Sequence, residues 1–245
     1  MKNGTGLSPN SVNSIITVIQ GSLETACRIG LSNEYTANKI KRPKVIEKQV
    51  SCFTQSEQKK IEQAVKNDKK NKLFGILLCL YSGLRLGEVL NLEWTDIDFI
   101  KCELNVNKTC HDGKDKDGKF CRVTDTPKTE SSRRLIPIPE QLMPLLQEVK
   151  RKSRSKYVVS NGEKIMSVRS YQKTFSSLLK KLEIQHKGFH ALRHTFATRA
   201  LECGMDIKTL SEILGHKSST ITLNRYVHSL MEHKKEMMNR LGQIL

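Results

Sequence analysis

Between His190 and Tyr226 the chain is divided into short helices by its own punctuation, and no long helix or strand can be drawn through it. The stretch reads HALRHTFATRALECGMDIKTLSEILGHKSSTITLNRY. Leu192, Phe196, Ala200 and Leu201 recur at helical spacing, so a helix begins at His190 and carries His190 and Arg193, three apart, on one face. Gly204 breaks that helix, Asp206 is placed to cap the next one over Ile207 to Leu214, and Gly215 ends it immediately before His216. Ser218 or Ser219 caps a third segment that carries Thr222, Leu223 and Arg225 to Tyr226. Two side chains that can address one anion, an imidazole at a helix end and a terminal tyrosine are therefore held in a fixed order.

That order, H-x-x-R, then L-G-H, then a tyrosine ten residues after His216, resembles the tyrosine recombinases, the phage and conjugative-transposon integrases. Two upstream stretches extend the resemblance. Ser82-Gly83-Leu84-Arg85-Leu86-Gly87-Glu88 is similar to the family's first arginine motif with its acidic partner. Thr126 to Ile138 (TPKTESSRRLIPI) is similar to the β-hairpin that delivers the family's lysine, here Lys128. The match covers about residues 50–230. It implies a mainly α fold with a small antiparallel β-sheet, in which a catalytic domain follows a partial helical DNA-binding domain.

Charge points to the same class of partner. The 42 Lys and Arg outweigh 25 Asp and Glu to give +17 over 245 residues, more than solubility requires and suited to a polyanion, with double-stranded DNA the first candidate. An acidic membrane surface is the weaker alternative, because Leu73 to Tyr81, the longest apolar run, is too short to span a bilayer and reads as a buried helix. With no signal peptide and seven scattered cysteines lacking a C-x-x-C pair, the chain reads as cytoplasmic, bacterial or phage-encoded. Cys110, His111 and Cys121 supply too few ligands for a common zinc site, and the Asp112 to Gly118 loop fails the calcium-loop register, leaving two Asp-Gly turns between strands.

Read in order, Val12, Ile15, Ile16, Ile19, Leu23, Ala26 and Ile29 form one apolar helix face that must bury against a partner. Residues 1–38 read as the C-terminal part of a core-binding domain. Residues 39–50 are a basic linker whose Lys39, Lys41, Arg42 and Lys44 are suited to a phosphate backbone. Residues 51–245 are the catalytic domain, opened by the capping box Thr54-Gln-Ser-Glu57. Gly83 stops the buried helix, and the next helix holds Arg85 in its first turn. Glu103 to Lys108, Lys119 to Asp125 and Arg133 to Ile138 read as three strands, with Lys128 in the turn between the last two. Helices are expected from Pro139 to about Lys152 and from Val168 to Leu182. Residues 229–245 form an amphipathic helix that the resemblance makes an exchange helix between protomers. So short an N-terminal segment implies weak, salt-sensitive DNA binding.

The resemblance assigns the chemistry. Arg85 and Arg193 present planar forks to the non-bridging oxygens of a phosphodiester, His216 hydrogen-bonds another, and Glu88 orients the first guanidinium. Lys128 protonates the leaving 5′-oxygen, and Tyr226, a weak nucleophile with an ordinary pKa near ~10, loses its proton to His190 as it attacks. His194 reads as structural on another face, and His186, His228 and His233 as surface residues. No cofactor is required, and no carboxylate cluster is present to hold a metal. The family further implies a tetramer on synapsed DNA, a monomer or weak oligomer alone, and sometimes a DNA-bending accessory protein. Two rivals stand beside this reading. A helix-turn-helix DNA binder would read a groove through Thr220, Thr222, Asn224 and Arg225; a type IB topoisomerase would share the nucleophile.

Overall fold

The computed structural model describes residues 6–31, 41–45, 50–68, 71–125, 133–162, 164–226, 238–239 and 241–243. The chain divides into two compact units, Met1–Gln49 and Val50–Leu245. In the first, α1 (Pro9–Arg28) opens with the Ser8 side chain accepting from the Ser11 N–H and with Pro9 in the first turn. Ile16 is buried, but Ile15, Ile19 and Ile29 of the expected face stay exposed. The physical reason is local: the described residues of this unit contain no second helix. Arg42 folds back onto α1, donating to the Asn13 carbonyl at 3.5 Å and to Thr17 Oγ1 at 3.2 Å, and it also bonds Gln20.

The second unit contains the main core. Its opening helix α2 (Gln55–Lys66) has the expected capping box, with the Glu57 N–H donating to Thr54 Oγ1 at 3.2 Å and the Thr54 N–H donating to Glu57 Oε2 at 2.8 Å. The all-apolar α3 (Phe74–Ser82) is enclosed on every side and packs against α2, α4 (Leu86–Asn91) and α7 (His190–Glu202). Burial of a side chain such as Leu77 or Ile76 is worth about 1.5–3 kcal/mol, so α3 is the stabilising centre of this unit. Phe53, Tyr171, Phe175 and Phe189 close one end in a chain of tilted and edge-on ring contacts.

The sheets depart from the three-strand expectation. The strands β1 (Ile97–Asp98), β2 (Glu103–Val106) and β5 (Arg134–Pro137) form one antiparallel sheet in the order β1-β2-β5. A separate hairpin pairs β3 (Thr109–Lys114) with β4 (Phe120–Asp125), and β6 (Ser160–Asn161) pairs with β7 (Lys164–Ile165). Asp112-Gly113 is therefore not a turn but lies within β3, opposite Arg122 and Cys121. Asp112 has a tertiary role instead: its carboxylate accepts the Val168 and Arg169 N–H groups at 2.9 Å and caps α6 (Val168–Lys181) together with Ser167. Since β4 and β5 belong to different sheets, no hairpin joins them. The connection that carries Lys128 lies outside the described residues.

From Glu140 a 3-10 turn leads into α5 (Met143–Lys152). α7, α8 (Ile207–Leu214) and α9 (Ser219–Tyr226) then follow with the expected punctuation. Asp206 Oδ1 accepts the Thr209 N–H at 2.9 Å, and Gly215 ends α8 in the left-handed region at φ 63°. The expected C-terminal helix, like His228 and His233, falls largely or wholly outside the described residues. Among the described residues, no helix is long and apolar enough to cross a membrane.

Candidate active site

Two helix ends meet to build the site. Gly83 closes α3 at φ 64°, and Arg85 is then the N-cap of α4 rather than a residue of its first turn. Four residues with a pronounced charge requirement converge where this turn faces the end of α8. Glu88, in the first turn of α4, accepts from the Arg85 backbone N–H at 2.8 Å and from Arg85 Nη1 at 2.9 Å. The same carboxylate takes Arg134 in a two-pronged contact, Nη1 to Oε1 at 3.1 Å and Nη2 to Oε2 at 2.9 Å. Burial alone would raise the Glu88 carboxyl; the bond and charge of Arg134, the charge of Arg85 and the Arg85 N–H outweigh it and hold it below the ordinary carboxylate value.

The last carbonyls of α8 receive one arginine each. Arg134 Nε donates to the Ile213 carbonyl at 2.6 Å, Arg193 Nη2 to that of Leu214 at 2.6 Å, and Arg85 Nη2 to that of Gly215 at 3.2 Å. A helix C-terminus leaves its last carbonyls without intrahelical donors and carries partial negative charge, so it gathers guanidiniums that would otherwise repel one another. Arg193, only 2% exposed, also donates Nη1 to the Gly83 carbonyl at 2.7 Å and so ties the two helix ends together. Burial, followed by the charge of Arg85, pulls the Arg193 pKa down to about 9.

His216 lies 3.0 Å from Arg193 Nη2 through Nε2 and 2.7 Å from Thr222 Oγ1 through Nδ1. Because a guanidinium only donates, Nε2 is the acceptor in this contact and the proton sits on Nδ1, donated to Thr222. Thr222 is 0% exposed and committed to this bond, which removes it from the groove-reading role of the helix-turn-helix alternative. Thr220 is exposed, while the side chains of Asn224 and Arg225 lie outside the described residues.

Tyr226, 3% exposed at the end of α9, places its hydroxyl 2.7 Å from Nδ1 of His194. His194, read from the sequence as structural on a face away from Arg193, thus meets Tyr226 there. The i,i+4 spacing puts His194 on the ridge of His190, and the two rings meet edge to face with centroids 4.5 Å apart. His190 itself is exposed at the first position of α7.

Of the expected site residues, Arg85, Glu88, Arg193 and His216 form one bonded network. Tyr226 joins His194, and His190 flanks that pair. Lys128 and Lys39 lie outside the described residues; Lys41, Arg42 and Lys44 are exposed in the first unit. Sequence reasoning missed Arg134, whose side chain is 6% exposed, although its signal was present: an arginine opening a strand, adjacent to a candidate hairpin. Of the residues weighed for zinc, Cys110 Sγ donates to the Gly87 carbonyl at 3.3 Å and His111 pairs with Asp125 at 3.0 Å. His186 lies at the surface, 3.2 Å from Ser176 Oγ.

The profile of the phage integrase family matches residues 51–233, a span that contains every member of this network. The chain belongs to the phage integrase family. A XerC-like tyrosine recombinase of Caldanaerobacter subterraneus subsp. tengcongensis is 34% identical over 237 residues, covering 86% of this chain and 60% of the relative. The ICEBs1 integrase of Bacillus subtilis is 28% identical over 253 residues, covering 98% of this chain and 67% of the relative. This family chain thus spans about three-fifths to two-thirds of those relatives. Among solved structures, a variant of the Tn1549 transposon integrase in complex with transposon right-end DNA superimposes with a TM-score of 0.78 at 25% identity, covering 97% of this chain and 81% of that one.

Proposed function

We propose that this integrase-family chain is a site-specific DNA recombinase that cleaves and rejoins strands through a 3′-phosphotyrosyl intermediate, integrating or excising a mobile element. The observation that carries this reading is the guanidinium cluster on the α8 C-terminus. Among the described residues Glu88 bonds Arg85 and Arg134, and Arg193 beside them feels only its charge, so three guanidiniums gather around one carboxylate and suit an incoming phosphodiester. Arg85 is the exposed member, its side chain 39% accessible, and is the guanidinium that meets the phosphate first. Arg193, held by His216 through Nε2, adds its charge beneath the non-bridging oxygens, where negative charge grows as the fifth ligand approaches phosphorus.

In this reading Tyr226 attacks phosphorus and Lys128 protonates the departing 5′-oxygen. The ester formed retains the energy of the broken bond, so a 5′-hydroxyl reverses the step. The relatives' names, XerC-like tyrosine recombinase and ICEBs1 integrase, support the same activity, and the Tn1549 integrase bound to transposon-end DNA supports duplex DNA as substrate. A lambda integrase tetramer on a Holliday junction is among the fold neighbours and supports assembly on synapsed DNA. A cytoplasmic location, Lys39, Lys41, Arg42 and Lys44 as backbone contacts, the exchange role of residues 229–245 and a DNA-bending accessory partner belong to the same proposal.

The test is a nicked suicide duplex carrying the element's end, incubated in EDTA with the chain or its Tyr226→Phe variant and run on a denaturing gel. A covalent protein–DNA band from the parent and none from the variant is the expected result. DNA binding without a covalent band from the parent, even with a full-length relative's N-terminal helices supplied, would replace the enzyme with a DNA-binding module.

A further inference from the structure

A tyrosine buried to 3% needs a partner for its hydroxyl, and here that partner is a base. The Tyr226 hydroxyl and His194 Nδ1 lie 2.7 Å apart, inside the range over which a proton passes directly between heavy atoms. Their rings are 5.8 Å apart at 64°, so the contact is made edge-on rather than by stacking. On its other side His194 meets the His190 ring at 85°.

We propose that His194 is the proton acceptor for the Tyr226 nucleophile. The assignment rests on the recombinase reading and places the base one turn along α7 from His190. Helix polarity supports the choice. His190 is the first residue of α7, where the positive end of the helix dipole disfavours an imidazolium, whereas His194 lies a full turn inward, where that effect has decayed. In the reactive state the His194 proton is on Nε2 and the phenol donates to Nδ1. As the Tyr226 oxygen–phosphorus bond forms, the phenolic proton moves to Nδ1 and His194 becomes imidazolium. The phosphorus–O5′ bond breaks, and the leaving oxygen takes its proton from the Lys128 ammonium. Religation runs both transfers backward, so no proton or electron is consumed over the cycle.

Among the described residues, His190 meets the His194 ring and the Arg193 charge reaches Tyr226, while His216, Arg85, Glu88 and Arg134 act on Arg193. The Arg193 charge acts directly on Tyr226 and favours the developing phenolate.

The experiment measures single-turnover covalent-complex formation on the nicked duplex from pH 5 to 9 for the parent, His194→Asn and His190→Asn. The parent rate should rise tenfold per pH unit through the imidazole range, near ~6.5, and then level. His194→Asn preserves a hydrogen-bond acceptor near the phenol without a base; it should lose about 100- to 1,000-fold and the rising limb, with partial rescue of His194→Ala by added imidazole. His190→Asn should keep that limb. Equal limbs in the parent and His194→Asn, or loss of the limb only in His190→Asn, would overturn the assignment while leaving the recombinase reading intact. No covalent band from the parent, even with a full-length relative's N-terminal helices supplied, would sink both. A readout independent of activity is the ring nitrogen NMR spectrum of His194 in the free chain, which should shift on Tyr226→Phe; an unchanged spectrum refutes the contact.

Discussion

Two glycine-capped turns bear the site, and they are built on opposite terms. The α3–α4 turn at Gly83 is set in apolar packing: a Cβ there would come within 2.6–2.9 Å of the Phe196 ring and Leu214. The α8–α9 turn at Gly215 rests on charge, and a Cβ there would meet the Arg134 side chain at 3.1–3.2 Å. Each turn offers a carbonyl to an arginine from elsewhere, Gly83 to Arg193 and Gly215 to Arg85. The first turn is packed against the Phe196 ring and the Leu214 side chain, and the second lies among guanidiniums held on one helix end. Both turns set donors in place, and among the described residues one carboxylate, Glu88, bonds two of the three guanidiniums.

The comparison breaks most completely at Glu88, the carboxylate both arrangements share. Glu88→Gln leaves Arg85 and Arg134 facing each other across a buried site, and should cost about 3–5 kcal/mol in urea unfolding. Gly83→Ala should cost about 3 kcal/mol, combining left-handed backbone strain with a clash against packed side chains. Gly215→Ala carries similar backbone strain but meets a longer, more adjustable side chain, and should cost about 1–2 kcal/mol. Equal losses at the two glycines would erase the distinction drawn between the turns. The smallest effect is expected from Thr222→Val, about 1 kcal/mol from the lost His216 bond, with a several-fold slower covalent step as the imidazole loses its fixed tautomer.

Acid sharpens the same contrast. The folded-state pKa of Glu88 is depressed, so its stabilisation is complete above the ordinary carboxylate value near ~4.3 and disappears as pH falls through the lower folded value. Unfolding free energy should therefore drop more steeply below pH ~4.3 in the parent than in Glu88→Gln, measured by urea titration at successive pH values. A parallel pair of curves would place the acid sensitivity elsewhere.

Local chemistry was legible in the residues themselves. The Thr54 capping box, the Gly83 and Gly215 stops and the Asp206 cap each depend on groups within four residues, so spacing alone determined them. The order Arg85, His190, Arg193, His216, Tyr226 was likewise readable because a resemblance rests on order and spacing. Position in the fold was not. Asp112 looked like half of a turn until β4 paired across from it and α6 presented two free N–H groups 56 and 57 residues away in sequence. Arg134 carried no role beyond its place in a strand until α8 ended beside it. His194 was placed on a face away from Arg193 by the 100° step between them, but the residue waiting on that face, Tyr226, is 32 positions distant and could not be read. Which side chains belong to the candidate set was written in the sequence; which carbonyl, carboxylate or imidazole holds each of them was decided by helix ends meeting in space, where buried charge must find a partner or remain unfolded.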